Sequence, residues 1–418
     1  MTMPTMPTDG STARSNTDRS NTDRSNTDRS NTGRPDTDRG HRVTGGLLVG
    51  LVGLIALVAA CTVPPTPGPT TTTTTPGPVG DVAVASQVTG FHRPWEIAFA
   101  PGGTLLVTER GGTLASVVGG ARHVVGTVPG VVALGEGGLL GLAVDPGFAT
   151  NRRIYTCFDF GAGGVVTDIR IVRFRVAEDL NSLTDATNVL TGIPAGAGNR
   201  HQGCRLAIGP DGMLWASTGD TAQPTPPQDA TSRAGKVLRM TLAGTPAPGN
   251  HGGAWDPYVY TFGHRNPQGL AFRPSDGAPF EVEHGTGCDD EVNHLTNAGN
   301  YGWNPVGAGY DESKPMTDLS IPGAIPAVWS SGCPTIAPSG ATFVQGAQWG
   351  AWNGALAVAV LKGTRLMFVR IDGTTLQGTD ARLTDRGRLR TVKQAADGSL
   401  WIAQDADPGS LLRVVPAP

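Results

Sequence analysis

From Gly80 onward, short apolar runs rich in Val, Leu, Ile and aromatics alternate with clusters of Pro, Gly and Asp, a pattern of strands cut by turns rather than of long helices. The runs come in pairs of one form: an apolar strand, a tight turn, a second apolar strand. Trp95 to Phe99 turns at Pro101-Gly102-Gly103 into Leu105 to Thr108, and Gly138 to Val144 turns at Asp145-Pro146 and returns as Ile154 to Phe158. Arg205 to Ile208 turns at Pro210-Asp211-Gly212 into Met213 to Ala216, and Gln268 to Phe272 turns near Asp276-Gly277 into Pro279 to Val282. Gly340 to Val344 returns as Ala355 to Val360, and Leu389 to Val392 turns at Asp397-Gly398 into Leu400 to Ile402. These six copies recur at roughly 45 to 70 residues, the length of a four-stranded blade with variable loops. The fold class predicted is all-β: a six-bladed β-propeller of four-stranded antiparallel blades. An isolated blade cannot bury both faces, so the array must close, and Val82 to Val88 is available to complete the last blade beside Leu411 to Val415.

The chain ahead of the repeats divides into three pieces. Residues 1–43 carry a near-perfect tandem of Ser-Asn-Thr-Asp-Arg from Ser15 to Arg34, with no apolar residue to bury, and are expected to be a disordered leader. Residues 44–61 read as a lipoprotein-type signal segment: Arg39, His41 and Arg42 precede the apolar run Leu47 to Ala60, which ends on small residues before Cys61. Cys61 is then the lipidated first residue of the mature protein; an ordinary cleaved signal and an uncleaved anchor are the alternatives. Residues 62–79, with the threonine tract Thr70 to Pro78, form a stiff polar tether. The propeller occupies 80–418, and the expected location is exported, lipid-anchored at the outer face of the cell membrane, with no other membrane contact.

Composition narrows the partners. Among 418 residues the 60 Gly and 33 Pro fit a turn-rich β domain, and a formal net charge of −3 gives no reason to expect nucleic acid. Of the five cysteines, Cys157, Cys204, Cys288 and Cys333 follow Cys61. An even number in an exported domain suggests two disulfides, with three pairings open, and no Cys-x-x-Cys spacing suggests zinc or a haem attachment.

In a propeller the first strand of each blade lines the central channel, so residues just before those strands gather at one rim. Glu136, His201, Arg265 to Gln268, Thr335 and Arg388 hold that position, while Asp220, His284 and Lys362 sit at or just beyond the ends of second strands, which return to the same rim. The same phase suggests pairing Cys157 with Cys204 and Cys288 with Cys333, each joining the end of a second strand to the next blade. Arg265, Lys362, Arg388 and Arg390 around one mouth make a cationic pocket suited to a small polyanion. Any one of them alone is more simply a solvated surface charge; their common phase argues otherwise. His201 suits a general base near neutral pH, and Asp220 across the hairpin suits the partner that holds its tautomer, although a lone histidine is more often structural. The turn Gly285-Thr286-Gly287, followed by Asp289, Asp290 and Glu291, presents oxygen to a hard cation such as calcium, or is an acidic turn in solvent; Asn300 to Trp303 would pack under it.

Several ordered motifs together resemble the soluble, PQQ-dependent glucose/sorbosone and aldose sugar dehydrogenase family. They are Gly135 to Leu140, His201-Gln202 with Arg205-Leu206, Gly263 to Gly269, Glu283 to Asn293 followed by Asn300 to Trp303, Ala337 to Gly340, Leu361-Lys362, and Arg388-Leu389-Arg390. The resemblance implies pyrroloquinoline quinone (PQQ) at the channel mouth, calcium beneath it, oxidation of an aldose at its anomeric carbon to the lactone, and electrons passed to an external acceptor. It implies His201 as the base that takes the sugar hydroxyl proton, Asp220 as its support, and Arg265 beside the quinone oxygen. Asn266, Gln268, Thr335, Lys362, Arg388 and Arg390 match cofactor contacts, Glu136 a substrate contact, and the backbone carbonyls of Gly285 and Thr286 the calcium ligands. Two departures stand out: Glu136 where some members carry glutamine, and Cys333 where some place an aromatic residue over the cofactor. A calcium-dependent propeller lactone hydrolase and a non-catalytic cell-surface binding propeller remain competing readings.

Overall fold

A computed structural model describes residues 80–418 apart from residue 197. The leader, the signal segment with Cys61 and the tether lie outside the described residues. Six four-stranded antiparallel sheets follow one another along the chain. Their inner strands are Pro94–Ala100, Leu139–Val144, Gly203–Ile208, Pro267–Phe272, Pro338–Phe343 and Leu389–Gln394, which open blades 1 to 6. Each inner strand packs against the inner strands of the blades before and after it, and Leu389–Gln394 against Pro94–Ala100 completes the ring. Closure is by the expected exchange: Val82–Phe91, from ahead of blade 1, pairs antiparallel with Gly409–Pro416 of blade 6, from Val82 opposite Pro416 to Phe91 opposite Gly409. The first and last strands of the domain thus share one sheet, and Val82–Phe91 supplies the outermost strand of blade 6.

The apolar residues of each strand pair face the neighbouring blade. Leu140, Cys157, Ile169 and Ile171 of blade 2 meet Leu206, Leu214, Ala216 and Leu238 of blade 3 in one buried cluster. Cys157 and Cys204 form a disulfide inside it, and Cys288 and Cys333 form a second, which joins blade 4 to the approach to blade 5. Both pairings suggested by the repeat phase are realised. One detail differs: Cys157 lies in the middle of the second strand Arg153–Ala162, because that strand runs several residues past the rim-side end read from its apolar stretch.

Charge also crosses the ring. Arg205, fully buried on blade 3, pairs with the buried Glu96 of blade 1, donates from Nε to the Gln268 carbonyl of blade 4 at 2.7 Å, and stacks 3.9 Å over the Trp95 ring. Thr391 of blade 6 donates to Glu96 at 2.8 Å, and Lys393 lies 3.6 Å from the same carboxylate. Burial pushes the Glu96 carboxyl up, but Arg205 and Lys393 outweigh it and hold its pKa below the ordinary value.

Candidate active site

The site starts from a backbone irregularity that every blade repeats. Near the rim, the pairing of each inner strand with its second strand slips: between Pro94 and Glu96, Leu139 and Leu142, Gly203 and Leu206, Pro267 and Gly269, Pro338 and Ala341, and Leu389 and Thr391. A β-bulge of this kind inserts an extra residue, bends the strand and re-aims its side chains. The extra residues of blades 1, 4 and 6 are Trp95, Gln268 and Arg390, and all three line a cavity of about 450 Å³ at the channel mouth. Glu136, Gln202, Asn266 and Arg388 line it as well.

Blade 3 supplies the histidine. His201 has φ 56°, a left-handed conformation uncommon for a residue with a side chain, and its N–H donates to Glu136 Oε2 at 2.8 Å. Its Nδ1 lies 2.8 Å from Asp220 Oδ1, and both residues are buried. A carboxylate only accepts, so Nδ1 carries the proton and Nε2 is left with its lone pair. Nε2 has no hydrogen-bond partner among the described residues.

Asp220 is in turn fixed by two groups that sequence reasoning missed. Trp303 Nε1 donates to its Oδ2 at 2.7 Å and Tyr310 O–H at 2.8 Å, the latter also 3.2 Å from His201 Nδ1. Tyr310 lies on a small hairpin, Val306–Gly307 with Gly309–Tyr310, inside the connection between the last two strands of blade 4. Trp303 was expected under the acidic turn; its indole instead reaches Asp220. Tyr310→Phe removes one donor from the carboxylate that orients His201, so kcat should fall roughly tenfold with KM little changed. Steady-state kinetics separate those constants, and a change in KM alone would assign the hydroxyl to binding instead.

The cations predicted for the rim are there, but not all of them face the cavity. Arg388 and Arg390 line it, sharing Asp405 as carboxylate partner at 3.1 Å each. Arg390 also donates to Gln268 Oε1 at 3.3 Å, and Gln268 Nε2 donates to Asn266 Oδ1 at 3.0 Å, so these three form one chain of hydrogen bonds. Arg265, Thr335, Lys362 and His201 stand just outside the lining, whose neighbouring members are Asn266, Ala337, Leu361 and Gln202. Lys362 Nζ donates to Thr335 Oγ1 at 3.1 Å. Arg265 is buried, donates to the His284 carbonyl at 3.2 Å and to Glu312 Oε1 at 2.8 Å, and accepts on its own carbonyl from the Asp220 N–H at 2.8 Å. The Nε groups of Arg265 and Arg390 and Oε1 of Gln202 are buried without a partner among the described residues. Burial, with the charges of Arg390 and Arg265, pushes His284 down to about 3, so that imidazole is neutral at the cavity wall.

The acidic turn departs from the solvent reading and leaves main chain, rather than carboxylate, as the oxygen it can offer a cation. It is not a solvated turn: Asp290 and Glu291 are buried, because the turn folds inward against the approach to blade 5. Nor are its carboxylates open ligands. Asp290 accepts from the N–H groups of Gly285 at 2.9 Å, Ile336 at 2.5 Å and Ala337 at 2.8 Å, Asp289 accepts from Ser330 Oγ, and Glu291 from Thr317 Oγ1 and Asn293. What stays available is main chain. The Gly285 and Thr286 carbonyls accept no hydrogen bond among the described residues, whereas the flanking His284 and Gly287 carbonyls do.

Behind His201, Gln202 Nε2 donates to the buried Asp159 at 2.9 Å, and burial pushes the Asp159 carboxyl up to about 7. Gly137 leaves room for Asp159 in this corner, since a Cβ there would come within 1.8 Å of Asp159 Oδ2 and force that carboxylate to shift. That contact gives the Gly135-Glu136-Gly137-Gly138 motif a physical reason.

The six blades form a propeller that holds a buried His–Asp pair, able to accept a proton, beside a guanidinium-lined cavity at the channel mouth, able to hold an anion. Comparison with known proteins makes this specific. Residues 91–413 match the family described as Glucose / Sorbosone dehydrogenase. The chain is 30% identical to the aldose sugar dehydrogenase YliI of Escherichia coli over 341 residues, covering 77% of this chain and 90% of that one. It is 33% identical to the quinoprotein glucose dehydrogenase B of Acinetobacter calcoaceticus over 258 residues, 54% of this chain and 53% of that one. Among solved structures, the PQQ-bound form of the aldose sugar dehydrogenase from Streptomyces coelicolor superposes with a TM-score of 0.71 at 33% identity, over 82% of this chain and 99% of that chain. The chain belongs to the glucose/sorbosone dehydrogenase family, and it is a sugar dehydrogenase.

Proposed function

We propose that the protein oxidises an aldose at its anomeric carbon to the lactone, with PQQ and calcium as cofactors, and passes the electrons to an external acceptor. The observation that carries this is the His201–Asp220 pair opening beside a cavity lined by Arg388 and Arg390. The donor set fits PQQ. PQQ bears three carboxylates, and the buried guanidinium Nε groups on Arg265 and Arg390 lack partners among the described residues. Arg388, Arg390 and Lys362 would hold the carboxylates, and Asn266, Gln268 and Thr335 would bond the remaining polar edge. Calcium would sit on the Gly285 and Thr286 carbonyls, the oxygens that the turn leaves unbonded. When bound, PQQ supplies a two-electron acceptor for hydride and calcium a hard cation next to it.

The protein's own part is proton handling and placement. Asp220 holds the Nδ1 proton on His201, which leaves Nε2 to take the proton of the anomeric hydroxyl. Asp220 also offsets the positive charge that His201 then acquires. Arg265 contributes a fixed positive charge on the cofactor side, already oriented by the His284 carbonyl. Glu136 anchors His201 through its backbone and presents a carboxylate to the sugar.

The test is reconstitution: calcium and PQQ added to purified protein, with aldose-dependent reduction of an artificial dye as readout. Absence of dye reduction across a broad aldose panel, with PQQ still bound, would favour a binding protein. Lactone cleavage without PQQ would favour a hydrolase. A second test addresses the metal turn. The Cys288–Cys333 bridge closes a span of 45 residues, worth about 4 kcal/mol in chain entropy, and pins the turn that carries Gly285 and Thr286. The paired change Cys288→Ser with Cys333→Ser should lower the thermal midpoint and weaken calcium about tenfold, read as the calcium concentration for half-maximal PQQ binding. Export and lipid attachment at Cys61, with the tether as spacer, complete this reading and rest on the sequence pattern.

A further inference from the structure

Blade 1 carries two arginines for which the mechanism has no use. Arg93 directly precedes the inner strand Pro94–Ala100 and Arg110 directly follows the second strand Thr104–Glu109, and the Arg110 N–H donates to the Arg93 carbonyl at 3.1 Å. Both side chains line the cavity beside Glu136. Arg265, Arg388 and Arg390 each have a carboxylate partner, but neither Arg93 nor Arg110 has a side-chain hydrogen bond or ion pair among the described residues. The acids at this wall are committed elsewhere: Asp405 to Arg388 and Arg390, Asp407 to His92, and Glu136 Oε2 to the His201 N–H. Burial and the charge of Arg93 both lower the pKa of Arg110, which records two like charges held close at a partly desolvated wall.

The backbone invests in that arrangement. Arg93 has φ 49°, and Gly138 leaves room for the Arg110 stem, since a Cβ there would lie 2.9 Å from Arg110 Cγ and 2.3 Å from its carbonyl oxygen. Two guanidiniums on one cavity wall, neither with a carboxylate bonded to it among the described residues, suit a planar oxyanion, which a guanidinium can bind bidentately. Glu136 ties this wall to the base, because it accepts from the His201 N–H and its charge acts on Arg110.

We propose that Arg93 and Arg110 form an anion subsite for the substrate, and that the aldose oxidised carries a carboxylate at the end remote from its anomeric carbon, as a hexuronate does. The inference rests on the sugar-oxidation reading above. With the anomeric hydroxyl at His201 Nε2, the sugar extends past Glu136 and its carboxylate meets the arginine pair. The chemistry asked of the protein is the same: His201 takes the hydroxyl proton, bound PQQ would supply the two-electron acceptor for the anomeric hydride, and the remote carboxylate is unchanged.

The test uses D-glucuronate, D-glucose and D-glucose 6-phosphate with wild type, Arg93→Gln, Arg110→Gln and the double variant. Calorimetric titration of cofactor-free protein should give tighter binding of glucuronate than of glucose by about tenfold, diminishing with added salt. In the PQQ- and calcium-loaded enzyme, the ratio of kcat/KM for glucuronate to that for glucose should fall at least tenfold in each variant. Equal binding of glucuronate and glucose by the wild type, or a ratio unaltered in the double variant, would overturn the subsite. Preference for glucose 6-phosphate would overturn the carboxylate and leave a phosphate in its place. Weakened PQQ binding in the variants with an unaltered ratio would make the pair a cofactor contact. Failure of PQQ to bind wild type would sink the cofactor reading alone, because the calorimetry needs no cofactor.

Discussion

His201→Ala should lower kcat about a thousandfold while PQQ still binds. The imidazole is the group whose free nitrogen can take the sugar proton, and a positioned general base contributes about 100- to 10,000-fold. Its loss leaves Asp220 well satisfied, with Oδ1 still accepting from the Ala222 N–H at 2.8 Å and Oδ2 from Trp303 and Tyr310. No buried charge is orphaned, so the fold is spared and the effect falls on chemistry. Dye-linked turnover gives kcat and absorbance titration gives PQQ affinity. A variant that keeps more than about a tenth of wild-type kcat would remove His201 from the proton step.

Arg205→Met should have the largest effect on stability, a loss of about 3–5 kcal/mol, because it leaves Glu96 ionised and buried at the centre of the ring. Lys393 stays 3.6 Å from Glu96, which puts the cost at the lower end of that range. Adding Glu96→Gln should restore much of it, since the uncompensated charge is then gone. The pH dependence has a definite sign. Glu96 has a depressed pKa in the folded protein, so its contribution is complete above the ordinary carboxylate pKa and disappears as pH falls through the folded value. Acid unfolding of wild type therefore includes this contribution and the double variant lacks it. Thermal midpoints measured from pH 7 down to pH 3 check both points; equal midpoints for wild type and Arg205→Met would mean that the pair adds nothing.

The ring was legible because it depends on repetition. Six strand–turn–strand copies, one spare strand ahead of them and one partner behind them define a closed propeller, and their common phase places Glu136, His201, Asp220, Arg388 and both disulfides. The same phase marks Arg93 and Arg110, before the inner strand and after the second strand of blade 1, so that signal was present in the sequence. Tyr310 and Glu312 were not legible. They lie in an irregular connection of blade 4 with no period, and they meet Asp220 and Arg265 across sequence separations of 90 and 47 residues. The roles of the acidic turn were hidden for a related reason. A carboxylate that ligates a metal and one that accepts three backbone N–H groups, as Asp290 does, look alike until the partner loop is in place.

The slipped residues near the rim of each inner strand have an evolutionary corollary. Trp95, Gln268 and Arg390 stand outside the ladder of strand pairing, so the ladder does not fix their identities, although Trp95 is also held by the buried cluster and by Arg205 over its ring. Exchanging Gln268 or Arg390 can rewrite what the channel mouth accepts while the strand pairing of the blade is kept. Deleting one is a different event: it would restore strict alternation and turn the residues on the rim side of that point to the opposite face. Descendants of this scaffold can therefore be expected to diverge at these positions by substitution and to keep their number fixed.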